Sequence, residues 1–253
     1  MKTVFMSLLL LLVVFNATAQ TINKTDAAGK KQGPWEKKYP NSKVAQYKGQ
    51  FKDDKPVGTF TYYFPTNTVK AIVVHNEKTG RSVAKMFHEN GTIEAVGIYK
   101  NQLKDSVWDY FGPTGRQSIK ESYVNGLLNG TQTVYYVPED PSSKVMLVAK
   151  TSQYTKGKLN GEVIEYYQNG VIKSKANFVN GVKTGVAIVN HPNGVPMMKE
   201  RYKNGVQHGW QTTHDQNGKE IGKKYYSQGE LLTGARLTKH LQLCKEKGIN
   251  PNG

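Results

Sequence analysis

The chain has 253 residues, 37% of them hydrophobic, with 25 Gly, 15 Tyr and a single Cys, and five of its fifteen Leu sit in one run, Leu8 to Leu12. That Leu scarcity argues against a helical bundle or a doubly wound enzyme core, and one Cys excludes a disulfide framework, a Cys-based zinc site and a thiol redox pair. The formal charge of +16 is almost all lysine, only Arg81, Arg116, Arg201 and Arg236 being arginines, so it suits diffuse attraction to polyanions better than a shaped phosphate pocket.

Met1 to Ala19 reads as a secretory signal peptide. Lys2 forms the positive start, Val4 to Phe15 is an apolar run broken only by Ser7, and Ala17-Thr18-Ala19 supplies a cleavage site that starts the mature chain at Gln20. A twelve-residue run rises about 18 Å as a helix, too short for ~30 Å of hydrocarbon. The expectation is an exported protein, periplasmic or extracellular, with no membrane span after cleavage.

Residues 20–32 form a linker and half repeat, Asp26-Ala-Ala-Gly-Lys-Lys-Gln-Gly33. From there to 234 one pattern recurs: an aromatic, any residue, a turn pair, three residues, then an anchor. It is clearest as Tyr123-Val-Asn-Gly-Leu-Leu-Asn-Gly130, Phe178-Val-Asn-Gly-Val-Lys-Thr-Gly185 and Tyr202-Lys-Asn-Gly-Val-Gln-His-Gly209. Anchors at Gly33, Gly58, Arg81, Ser106, Gly130, Gly161, Gly185, Gly209 and Gly234 are 23 to 25 residues apart, with one interval of 31. A second turn inside each unit reads Asn90-Gly91, Thr114-Gly115, Asn169-Gly170, Asn193-Gly194 or Asn217-Gly218. Asn-Gly suits a type I′ hairpin turn, and the aromatic and β-branched residues between turns suit strands. Eight units near 24 residues predict an all-β, elongated antiparallel hairpin array of about sixteen strands. The aromatics seven before each anchor (Phe51, Tyr99, Tyr123, Tyr154, Phe178, Tyr202, with Val74 substituting and Tyr226 shifted) predict a structural ladder. Trp35, Phe60 and Trp108, two past their anchors, add to it. Pro138 to Ser143 replaces a tight turn with a loop, and 235–253 forms a short capping helix and tail with Leu237, Leu241 and Cys244 on one face.

Ten residues before the anchors stand Lys48, Ala71, Val96, Lys120, Thr151, Lys175, Lys199 and Lys224. The odd spacing between this column and the aromatic one predicts a lysine row on the opposite sheet face. Lys48, Lys120, Lys175, Lys199 and Lys224 are therefore the candidate polyanion contacts. No His-Glu-x-x-His, nucleophile elbow or phosphate loop is present. His88, His191 and His214 precede internal turns and read as strand-end residues. Cys244 with His240 lacks an orienting third group. The reading assigns no catalytic, cofactor or metal residues.

Gly33-Pro-Trp-Glu-Lys-Lys-Tyr39-Pro-Asn41 and Tyr202-Lys-Asn-Gly-Val-Gln-His-Gly209-Trp210 resemble the units of bacterial MORN-repeat variant proteins, with the likeness running from about Asp26 to Gly234. The resemblance implies a stacked hairpin sheet used for interaction, without catalytic residues; some members carry an antitoxin label. The expected function is a non-enzymatic exported scaffold for a protein partner. The alternative is a polyanion binder, for envelope glycopolymer, anionic lipid or nucleic acid, whose complex weakens steeply with salt.

Overall fold

The computed structural model describes residues 21–138, 143 and 145–252. The predicted leader, Gln20 and positions 139–142 of the predicted loop lie outside them. The chain opens on a two-residue strand, β1 (Lys24–Thr25). A meander follows through β2 (Lys31–Lys38), β3 (Ala45–Lys52), β4 (Lys55–Tyr63), β5 (Val69–Asn76), β6 (Arg81–Phe87), β7 (Ile93–Lys100), β8 (Leu103–Phe111) and β9 (Gln117–Val124). A bulge divides the next segment into β10 (Leu127–Leu128) and β11 (Gly130–Tyr135), both paired with β9. Then come β12 (Val148–Thr155), β13 (Lys158–Tyr166), β14 (Ile172–Val179), β15 (Val182–Asn190) and β16 (Pro196–Lys203). A second divided segment, β17 (Val206–Gln207) and β18 (Gly209–His214), pairs with β16 and leads to β19 (Glu220–Ser227) and β20 (Glu230–Leu232). Helix α1 (Gly234–Glu246) ends the fold. These twenty strands make one open antiparallel sheet.

Two kinds of turn alternate. Turns between units take two residues, as where Val124 pairs with Leu127 around Asn125 (φ 49°) and Gly126 (φ 80°). Both central residues are left-handed, which is the type I′ requirement. The internal turns differ from expectation. At His88–Thr92 the Gly91 N–H donates to the His88 carbonyl at 2.9 Å, and only Gly91 (φ 83°) is left-handed. That is a three-residue loop, a type I turn closed by a glycine bulge. The type I′ geometry thus belongs to the other Asn-Gly pairs, because only there does the strand register leave two residues to reverse the chain.

Register is continuous enough to trace single files of side chains across sixteen strands. One runs Glu36, Lys48, Thr61, Ile72, Lys85, Val96, Asp109, Lys120 to mid-sheet. It continues Thr133, Thr151, Ile164, Lys175, Ile188, Lys199, Thr212, Lys223. The aromatic column lies on the other face. Four assignments shift by one residue. In the third unit Ser82, not Arg81, stands opposite the ladder aromatic Tyr99 as the anchors do. The four-residue turn after Asn76 and the absence of a bulge between β5 and β6 cause the slip. His75 rather than Val74 therefore joins the aromatic column, and Ile72 rather than Ala71 the lysine file. In the last unit, stretched by a residue, Lys223 occupies the file and Lys224 pairs with Gln211 on the aromatic face.

Among the described residues no second layer covers the aromatic face, so that face builds its own core. Trp108 is fully buried with Ala84 and Ala95, under Val73, Met86 and Tyr99. Its indole leans over Gly97, where a Cβ would meet the ring at 2.1 Å, and its Nε1–H donates to the Ile98 carbonyl at 3.1 Å. Phe60 leans over Gly49 in the same way. Both close approaches need a residue without a side chain. On the lysine face α1 covers the last strands. Tyr225, fully buried, lies edge-on to Trp210 at 5.1 Å and reaches His240 of α1 at 3.0 Å. Cys244 is buried on that helix, as the heptad-like spacing with Leu237 and Leu241 implied.

Candidate functional site

The register brings four of the five candidate lysines, Lys48, Lys120, Lys175 and Lys199, into one file on one face. Lys224 is on the other. Toward the C-terminal end the file alternates Lys175, Ile188, Lys199, Thr212, Lys223, placing ammonium groups on every second strand, about 9–10 Å apart. Three of the lysines are engaged: Lys48 with Glu36 (3.7 Å), Lys120 with Asp109 (4.0 Å) and Lys175 with Glu162 (2.5 Å). Each is a half-exposed pair in high dielectric, worth under ~1 kcal/mol and open to exchange with an incoming anion. Lys223 lies 4.4 Å above the Trp210 ring.

The same face carries an apolar stretch that column-counting did not reveal. In the neighbouring file Val74, Val83 and Ile98 are in cross-strand register, with Val107 on the next strand. Val74 and Val83 are 47% and 52% exposed. Ile72 and Val96 flank them in the lysine file. Further along, Ser122 pairs with Val107, Thr131 with Gln153 and Glu162 with Asn177, so the equivalent positions across β9 to β14 are polar. The signal was available in Val69-Lys-Ala-Ile-Val-Val-His75, where apolar residues occupy both parities of one strand.

On the aromatic face a second column stands two residues before each anchor and fills the spaces between ladder rings. Lys104 Nζ lies 4.7 to 5.0 Å from the rings of Trp108, Tyr110 and Tyr123, and donates to the Tyr110 hydroxyl at 2.6 Å. Burial lowers its pKa, and the nearby Glu121 carboxylate opposes that shift. Tyr123 donates to Glu121 at 2.6 Å; burial and that carboxylate push its pKa up to about 12. Lys183, Glu200 and Tyr202 repeat the arrangement, with Lys183 at 3.8 Å from the Tyr202 ring. These clusters brace the ladder. The internal-turn histidines act as staples: His88 Nε2 is 2.9 Å from the Phe111 carbonyl and His191 Nε2 is 3.0 Å from that of His214. Tyr39 and Tyr167 donate to carbonyls of the following unit in the same way.

The aromatic face also holds a groove of about 1080 Å³ over β3 to β7. Among the described residues no group of three or more His, Cys, Asp or Glu is placed to hold a metal ion, and no helix is long and apolar enough to cross a membrane.

The protein-family model for the MORN repeat variant matches residues 83–101, 159–180 and 183–204. Each match overlays one hairpin built on an internal turn: β6–β7, β13–β14 and β15–β16. MORN repeats form scaffolds often used for interaction and are generally without catalysis. No curated protein matches the chain.

Proposed function

We propose that this chain is an exported, non-enzymatic repeat scaffold that binds a protein partner in the cell envelope or outside the cell. The uncovered apolar stretch Val74, Val83, Ile98 and Val107 carries the reading. The same file carries a paired apolar stretch again at Trp210 and Tyr225, and there the chain roofs it with α1. A contiguous apolar patch left open on a face where the other exposed apolar residues, such as Val186, stand singly among polar neighbours is the mark of a contact surface. Export rests on Met1 to Ala19, and the compartment sets the partner: the antitoxin label of some MORN-variant proteins would require a toxin in that compartment.

The test is capture of envelope proteins by the mature chain at low and moderate salt. Val74→Lys with Val83→Lys is expected to abolish the specific partner, while Lys199→Gln with Lys223→Gln leaves it bound and salt changes little. N-terminal sequencing of the exported chain is expected to begin at Gln20. A second reading, a polyanion laid along Lys175, Lys199 and Lys223, is favoured by the two-strand spacing of those ammonium groups. Binding that collapses with salt and with the lysine substitutions would replace the first reading by the second.

A further inference from the structure

The groove on the aromatic face is a site of its own, distinct from both surfaces above. It exists because the file Phe60, Val73, Ala84, Gly97 sets only two small side chains between the Phe60 ring and the Trp108 indole that covers Gly97. Phe60 leans back over Gly49 and Trp108 over Gly97, so the floor at β5 and β6 stays low. Tyr62 stands on one side and Tyr99 on the other, with Val73, His75, Ser82 and Met86 between them. Lining residues reach from the turns at one sheet edge to those at the other, so the groove follows the strands and is suited to a chain-like ligand.

Its middle, between the charged residues near the turns, carries few polar groups. Nδ1 of His75 and Oγ of Ser82 lie 2.8 Å apart, while Nε2 of His75 is shielded from solvent without a partner. The Tyr62 and Tyr99 hydroxyls have no hydrogen-bond partner among the described residues, and burial raises the pKa of both. The two phenol hydroxyls are not shielded from solvent, so they stand open at the groove to donate to and accept from a polar ligand. Its charged residues nearly cancel, four cations against three anions. Lys52 also pairs with Glu77 at 3.9 Å and Arg81 with Asp105 at 2.8 Å. That excludes a polyanion as the fitting occupant. An extended peptide fits poorly too: the sheet's backbone groups are engaged in the ladder, so the peptide's own amides would be pressed unpaired against apolar side chains.

We propose that this groove binds a neutral oligosaccharide, several sugar rings long. Sugar C–H faces pack on the Tyr62 and Tyr99 rings, and sugar hydroxyls pair with the two phenol hydroxyls. A mostly apolar concavity with a few convergent polar groups is the form such sites take.

Titration of the mature protein with cellohexaose, maltohexaose and chitohexaose, followed by calorimetry and Trp fluorescence, tests this. At least one hexasaccharide is expected to bind saturably at millimolar concentration or below. Tyr62→Phe with Tyr99→Phe keeps the rings and should weaken it about tenfold, the equivalent of one or two lost hydrogen bonds. Val73→Phe, which raises the floor, should abolish it with the circular dichroism spectrum unchanged. Val74→Lys, on the other face, should leave it intact, which separates this site from the proposed protein contact. The proposal is overturned if no hexasaccharide saturates, if both groove variants bind like wild type, or if a proline-rich peptide displaces the bound sugar from the groove.

Discussion

Gly97 shows how one missing atom shapes a face. A Cβ there would stand 2.1 Å from the Trp108 indole, so Gly97→Ala must lift the ring off Ala84 and Ala95. The expected cost is about 1–3 kcal/mol, as for other overpacked cores, read as a lower urea midpoint and a red-shifted Trp emission. His75 carries the pH dependence of the same region. Burial lowers its folded pKa below the ordinary 6.5, so between those two values the unfolded chain binds more protons than the folded one. Stability therefore rises with pH through that window, and the penalty is complete below the folded pKa. His208 shifts the same way through burial and the charges of Lys203 and His240. The measurement is the urea midpoint from about pH 5 to pH 7.5, expected to slope upward and to flatten in part in His75→Gln.

The hairpin is where most of the architecture was legible, because a 24-residue period and paired turns leave few other arrangements. Strand number, the opposed faces of Lys175 and Phe178, and the inward face of α1 all follow from side-chain period alone. What escaped the period was what the turns and bulges do locally. Counting from Arg81 misplaced Val74 and Ala71, since a four-residue turn without a bulge moves the frame by one. Lys224 failed at the other end because one extra residue separates the two-residue turn after Ser227 from Gly234. The type of the Asn90-Gly91 turn depends on whether two or three residues reverse the chain, which composition does not record. The groove was invisible because it consists of small residues, whose meaning appears only when Phe60 and Trp108 are seen to lean. At this scale the helix is the element to remove. A chain ending at Thr233 loses the cover of Tyr225, including the hydrogen bond from its hydroxyl to the Pro251 carbonyl at 2.7 Å. Exposed Trp210 and Tyr225 are expected to cause concentration-dependent association, visible by light scattering.

Across the whole molecule each strand touches only its neighbours, so stability is close to a sum over hairpins and their junctions. Excising residues 185–208 joins Thr184 to Gly209 and restores the pattern, anchor for anchor. This shortened chain is expected to fold, with a denaturant slope reduced roughly in proportion to its length. Excising 185–207 instead reverses the parity of all that follows, sending the lysine file to the aromatic face, and should not give a cooperative transition. The open order of strands has a mechanical outcome as well. Strand β2 and helix α1 lie at opposite margins of a ribbon sixteen rungs across, at most ~72 Å if straight. A load applied between them pulls rungs apart in turn rather than shearing them together. Such a body yields one rung at a time and closes again when slack returns, the behaviour of an extensible leash.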